Sequence, residues 1–161
     1  MEIALLPQNT IRVKSKVTTL LVNPTDSSIP HQAALYGKHV SGKKSGDSVI
    51  IDGPGEYEIG GIKISGVKSQ DGTVYSLNVD DIDILVGNLE VVDKLQHKLK
   101  EHNIVLIQTD NETDASFVNG LATNVVMLYG EKAKTVLEKF AKEGLQEISK
   151  FQSTKDKLPQ E

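Results

Sequence analysis

The first half of the chain is written in short steps of period two. Thr10-Ile11-Arg12-Val13-Lys14 alternates apolar and polar positions strictly, the pattern of a half-buried strand. Glu2–Leu6 and Val17–Val22 are short apolar runs set off from it by Pro7-Gln8-Asn9 and Ser15-Lys16. Asn23-Pro24-Thr25-Asp26-Ser27-Ser28 is loop chemistry, and His31–Tyr36 is a short apolar patch of undecided type. Ser41–Ser48 is a polar loop. Val49-Ile50-Ile51, Glu56–Ile59, Ile62–Val67, Val74–Val79 and Ile82–Val86 then follow as strands. Asp52-Gly53-Pro54-Gly55 and Gly60-Gly61 sit where hairpins need breakers.

The second half changes period. Glu90–His102 puts Val91, Val92, Leu95 and Leu99 on one helical face, and Glu131–Lys142 does the same with Ala133, Val136, Leu137 and Phe140, with Gly144 just beyond. Thr113–Leu121 predicts a short helix capped by Asn111 or Thr113. Ile104–Ile107 and Val125–Leu128 are continuous apolar runs, the mark of buried parallel strands, and Leu145–Phe151 predicts a last strand. Strands first, then strand–helix–strand–helix, predict an α/β protein of two packed sheets with helices outside.

Composition narrows this picture. A chain of 161 residues is expected to form a single domain, here residues 1–152, followed by a flexible charged tail at 153–161. The longest apolar runs, such as Ile3-Ala4-Leu5-Leu6, are far too short to span a bilayer, and Arg12, Lys14 and Lys16 leave no signal-peptide core. A cytoplasmic location is the expectation. The absence of cysteine removes disulfides, a thiol nucleophile and cysteine-type zinc sites. Charge is uneven: residues 1–50 carry six basic groups against three acidic, 51–93 two against nine, and 94–161 ten of each. An acidic middle and a net charge of -4 argue against nucleic acid as a partner, which needs a basic footprint.

Sequence-local chemistry is thin. His97 and His102 stand five apart on the expected helix, about 140° apart around its axis, which reads as two exposed histidines rather than a metal pair. No His-x-His, His-x-x-x-His or HExxH spacing occurs. The glycine turns are followed by strands, not by the helix N-terminus that a phosphate cradle needs. Asp52, Glu56 and Glu58 gather on one hairpin. They are candidates for acid–base work, with a solvated hairpin edge as the plainer reading.

Several segments resemble one family. Met1-Glu2-Ile3, Gln8-Asn9-Thr10-Ile11-Arg12-Val13-Lys14 and Leu21-Val22-Asn23-Pro24 look like the opening of metallo-β-lactamase-fold hydrolases of the UlaG-like branch. Val49-Ile50-Ile51-Asp52-Gly53-Pro54-Gly55-Glu56-Tyr57-Glu58-Ile59-Gly60-Gly61 resembles that branch's hairpin. Ile84-Leu85-Val86-Gly87-Asn88-Leu89 is similar to the strand leading to its Gly-Asp-Leu-Gly motif. The resemblance implies an αββα sandwich, reduced in size, with a metal site at one sheet edge.

It also implies where the ligands ought to be, and there the chain departs. The family's early His-Ser pair is Gln8-Asn9, its Asp-Pro is Asn23-Pro24, and its bridging aspartate is Asn88. The His-x-His-x-Asp-His signature is replaced, in an ungapped reading, by His39-Val40-Ser41-Gly42-Lys43-Lys44. The late ligand histidine falls at Leu128-Tyr129-Gly130. A catalytic zinc needs about three protein ligands and a water. The resemblance therefore implies a pseudoenzyme: a metal-free scaffold or binding module with no cofactor and no catalytic residue. Its vestigial pocket would comprise Gln8, Asn9, Asn23, His39, Ser41, Lys43, Lys44, Asn88 and Tyr129, with the two lysines supplying positive charge where a metal sat. Two alternatives stand beside it: an unorthodox hydrolase using Asp52, Glu56 and Glu58, and an anion or small-molecule sensor in the old cleft. An unknown protein partner or self-association through an exposed edge strand is the expected mode of partnership.

Overall fold

The computed structural model describes residues 1–42, 47–140 and 143–160. Strands β1 (Glu2–Leu6), β2 (Thr10–Lys14), β3 (Thr19–Val22), β4 (Ala33–Leu35) and β5 (Val49–Ile51) form the first sheet together with β12 (Lys150–Gln152), in the order β12-β1-β2-β3-β4-β5. The second sheet contains β6 (Gly55–Ile59), β7 (Ile62–Ser69), β8 (Gly72–Val79), β9 (Ile82–Asn88), β10 (Ile104–Gln108) and β11 (Val125–Tyr129), in the order β11-β10-β9-β8-β7-β6. Each sheet is mixed. β1, β2 and β3 pair antiparallel and β3, β4 and β5 parallel, while β6 to β9 form an antiparallel meander and β9, β10 and β11 run parallel.

The alternating pattern explains how the sheets meet. Ile11 and Val13 of β2 face Ile64, Leu77 and Ile84 of the other sheet across one buried core, while Arg12 and Lys14 point outward. The second sheet buries its other face too. Val74, Leu85, Val105 and Ile107 pack under α1 (Leu89–Leu95) and α2 (Ala133–Phe140), and this is why β9 and β10 read as continuous apolar runs. Among the described residues both helices lie against the second sheet.

Hairpin turns follow local chemistry. Gly60-Gly61 adopts φ of 53° and 84° between β6 and β7, and Asp80-Asp81 adopts 50° and 64° between β8 and β9, both in the left-handed region that tight hairpins demand. Helix lengths depart from the periodicity. The run Glu90–His102 yields a helix only to Leu95, then a 3-10 turn at Gln96–Lys98, because the chain must turn back to enter β10. The expected helix at 113–121 is a 3-10 segment, Ser116–Gly120, and Asp114 holds its start by accepting from the Ser116 amide at 2.8 Å. The expected last strand shrinks to β12, leaving Leu145 and Ile148 exposed. Residues 153–160 place Leu158 in the intersheet core, and Asn124 donates to the Pro159 carbonyl at 2.9 Å. No helix among the described residues is long and apolar enough to cross a membrane.

Candidate functional site

The carboxyl ends of β3, β4, β9, β10 and β11 converge on one open cleft of about 580 Å³, the place where sheets of this kind expose backbone ends and loops to ligands. Asn23 follows β3 in the left-handed conformation, φ 47°, which asparagine tolerates better than most residues. Its side chain is spent on the protein itself: Oδ1 accepts from the Gly37 amide at 3.0 Å, and Nδ2 donates to Gln108 Oε1 at 3.3 Å. Gln108 Nε2 donates in turn to Asp110 Oδ2 at 2.8 Å. This chain of amides and one carboxylate ties the first sheet to the second across the cleft.

Two further bonds close the same edge. The Thr73 amide donates to the Gly37 carbonyl at 2.8 Å. The buried Tyr75 hydroxyl donates to the Tyr36 carbonyl at 2.7 Å and approaches that of Ile51 at 3.3 Å. Burial, with Tyr57 and Asp52 adding to it, pushes the Tyr75 phenol far above its usual value, so it stays a donor.

Asn88 lies beside Gln108 in the β9–β10 register and caps α1, its Oδ1 accepting from the Glu90 amide at 3.1 Å. Tyr129 lies on the other side of Gln108, 6% exposed, and lines the cleft. Its hydroxyl has no hydrogen-bond partner among the described residues. Burial, reinforced by Asp110, raises its pKa well above the ordinary range, so Tyr129 offers a neutral O–H. Two of the charged rim residues pair with each other and a third is held by neutral donors. Lys94 is bonded to Asp71, and Glu90 accepts from Asn111 at 2.9 Å and Thr113 at 3.3 Å.

The residues expected at the pocket separate into three groups. Asn23, Asn88 and Tyr129 line the cleft. Gln8, Asn9, His39 and Ser41 do not: Gln8 and Asn9 form a left-handed turn outside it, with Gln8 bonded to Thr25, and His39 is exposed and paired with Asp52 at 2.7 Å. Ser41 is exposed, and Lys43 and Lys44 lie outside the described residues. The carboxylates do not converge either. Asp52 accepts from His39 and the Val40 amide, Glu56 accepts from Ser65 at 2.6 Å, and Glu58 stands exposed opposite Lys63. Gln108 and Asp110 went unread. Their signal was position, at the end of a buried parallel strand, where loop polar residues face a cleft. Among the described residues no three His, Cys, Asp or Glu side chains lie together.

His102 corrects the sequence reading most sharply. It is not an exposed helical residue but 5% exposed, beyond the helix, with Nε2 2.8 Å from Ser76 Oγ. Burial pushes its pKa below the usual imidazole value, against a smaller opposing pull from the Lys100 backbone. The unfolded chain therefore binds the proton more readily than the folded one. The stability this withholds is fully present above about pH 6.5 and is lost as pH falls from there through the lower folded value. Melting temperatures of the wild type should fall between pH 7 and pH 5 more steeply than those of His102→Gln; parallel curves would remove His102 as the cause. Glu2 does not confuse that window. Lys150 and Gln152, helped by Arg12, hold its carboxyl down to about 2.

Two mixed sheets packed face to face, with helices outside and the cleft at their carboxyl edge, constitute the metallo-β-lactamase fold. Two solved structures share the arrangement. A protein from Thermotoga maritima described as a Zn-dependent hydrolase of the metallo-β-lactamase superfamily superposes with a TM-score of 0.65 at 17% identity, over 87% of this chain and 84% of that one. The metallo-β-lactamase-fold protein YhfI of Bacillus subtilis superposes with a TM-score of 0.57 at 9% identity, over 87% of this chain and 91% of its own. At such identities the likeness is one of fold. No family model and no curated protein sequence matches the chain.

Proposed function

We propose that this chain is a non-catalytic, metal-independent relative of the UlaG-like metallo-β-lactamase-fold hydrolases, serving as a scaffold or binding module. The observation that carries this reading is the Asn23–Gln108–Asp110 chain. Where a hydrolase of this fold needs a cluster of imidazoles and carboxylates, the cleft holds neutral amides already bonded to one another. Amide oxygens engaged in hydrogen bonds, Asp110 without an imidazole beside it, and rim carboxylates Asp71 and Glu90 bonded to Lys94 and to Asn111 and Thr113 do not fit a tetrahedral zinc, which takes convergent thiolate, imidazole or carboxylate donors. The hydrolase alternative gains nothing from Asp52, Glu56 and Glu58, which stand apart from the cleft.

The test is metal uptake. Protein dialysed against zinc and then against buffer should retain far less than one zinc per chain, with a melting temperature unmoved by the metal. One zinc per chain, lost on Gln108→Ala, would overturn the reading.

One observation favours the small-molecule reading over the pure scaffold: the unpartnered Tyr129 hydroxyl opening on the cleft. Thermal scans of the same protein against sugars and carboxylic acids separate the two. A ligand-dependent rise that disappears in Tyr129→Phe marks a binding cleft, and no rise leaves the scaffold.

A further inference from the structure

The second sheet ends on β11, and β11 is unlike the other edges. β12 is three residues long and carries Lys150, β5 is three residues and runs into Asp52, and β6 carries exposed Glu56 and Glu58. Charges and shortness of this sort keep edges from pairing with other chains. β11 is five residues, Val125-Val126-Met127-Leu128-Tyr129, and no charged residue occurs from Leu121 through Gly130.

Its ladder shows which groups are left over. β10 and β11 pair in parallel with Ile104 opposite Val125 and Gln108 opposite Tyr129. The Val125 amide donates to Asn103 and the Tyr129 carbonyl accepts from Thr109. In a parallel ladder alternate residues bond the same neighbour. Val125, Met127 and Tyr129 therefore face β10, and the amides and carbonyls of Val126 and Leu128 face away from the sheet.

We propose that a second copy of this chain covers that edge, pairing antiparallel with β11 about a twofold axis at Met127. In this register Val126 of one copy lies opposite Leu128 of the other, twice over, and each pair exchanges both of its bonds, so every outward group is satisfied. Met127 meets its own symmetry mate in the closer, non-bonded position. The neighbouring twofold registers fail. Centring on Val126 sets Leu128 against Asn124, whose amide is already donated to Asn103. Centring on Leu128 sets Val126 against Gly130, whose carbonyl accepts from Ala133 and whose φ is 107°. The axis stands perpendicular to the sheet, so α2 of both copies falls on the same face and the helix layer runs on across the seam.

The proposal is independent of the cleft's role and is tested by mass and by cross-linking. Light scattering of the wild-type protein should give a dimer. Val126→Pro removes one outward amide that the β10 ladder does not use, and should give a monomer with unchanged circular dichroism. The chain has no cysteine, so Met127→Cys places one thiol per copy. Opposed Cα atoms of a non-bonded pair lie about 4.5 Å apart, within disulfide reach. Under mild oxidation Met127→Cys should become a covalent dimer much faster than Val17→Cys, whose residue is 83% exposed in the other half of the molecule. A wild-type monomer at millimolar concentration, or equal cross-linking rates for the two variants, would overturn the pairing. Should Val126→Pro fail to fold, the cross-linking rates decide alone.

Discussion

Asn23→Ala is expected to lower the stability of the folded chain by about 2–4 kcal/mol. The loss has two sources. The Gly37 amide and the Gln108 side chain each lose the partner they have at 3.0 and 3.3 Å, and a polar group left unmatched at a partly buried site costs roughly 1–3 kcal/mol. Position 23 also holds φ at 47°, where alanine is disfavoured by about 1–2 kcal/mol. For a chain of this size the melting temperature should fall by roughly 5–15 °C. Companion variants apportion the effect. Asn23→Gly keeps the backbone comfortable and loses only the bonds, so it should cost less than alanine. Asn23→Asp keeps the acceptor for Gly37 and lets Gln108 turn its amide to donate, at the expense of the Asp110 bond, so it should cost least. Thermal melts of the three variants read the order directly. A glycine variant no less stable than the aspartate variant would mean that the cross-sheet bonds contribute nothing and that the cleft is held open by packing alone.

What was legible in the sequence follows the range of the interactions involved. The hairpin at Gly60-Gly61 was legible because the pair sets its own backbone within a few residues, whereas Asp52-Gly53-Pro54-Gly55, which reads as another hairpin turn, carries the chain from β5 in one sheet to β6 in the other. The two-sheet core was legible because alternation and continuous apolar runs report on which faces are covered. Helix ends were not, since Leu95 is the last α-helical residue for a reason that lies elsewhere: the chain must reach β10, and His102 must reach Ser76. The cleft divides the same way. Asn23 and Asn88 were placed by resemblance to a known motif, and each turns out to hold local backbone, one at a left-handed turn and one at a helix cap. Gln108 escaped because its partner Asn23 is 85 residues away in sequence, a pairing that neither propensity nor period encodes, and Asp110 enters the cleft's bonding only through Gln108. His39 sat in the right stretch of chain, but its loop carries it to Asp52 rather than to the cleft.

Gly87 carries the other large expectation. It sits in β9 one residue before the Asn88 cap, and a β-carbon built there would stand 2.9 Å from Val92 Cγ2 of α1 and 3.0 Å from Val74 Cγ2 of β8. Both valines are almost wholly buried, so neither can swing aside as a surface side chain would. Gly87→Ala should therefore cost about 1–3 kcal/mol through overpacking, despite the better strand propensity of alanine. Gly87→Val should cost more and lift the first turn of α1 away from the sheet, taking Asn88 with it. The discriminating measurement is a double-mutant cycle. If the clash with Val92 is the cause, Val92→Ala opens the space that the new methyl needs, and Gly87→Ala in that background should cost at least about 1 kcal/mol less than in the wild type. Additive losses would place the cost in the backbone of β9 instead. The same variant reports on the cleft: because Gly87 and Asn88 line it together, any ligand response found for the wild type should weaken in Gly87→Ala and recover in the double variant.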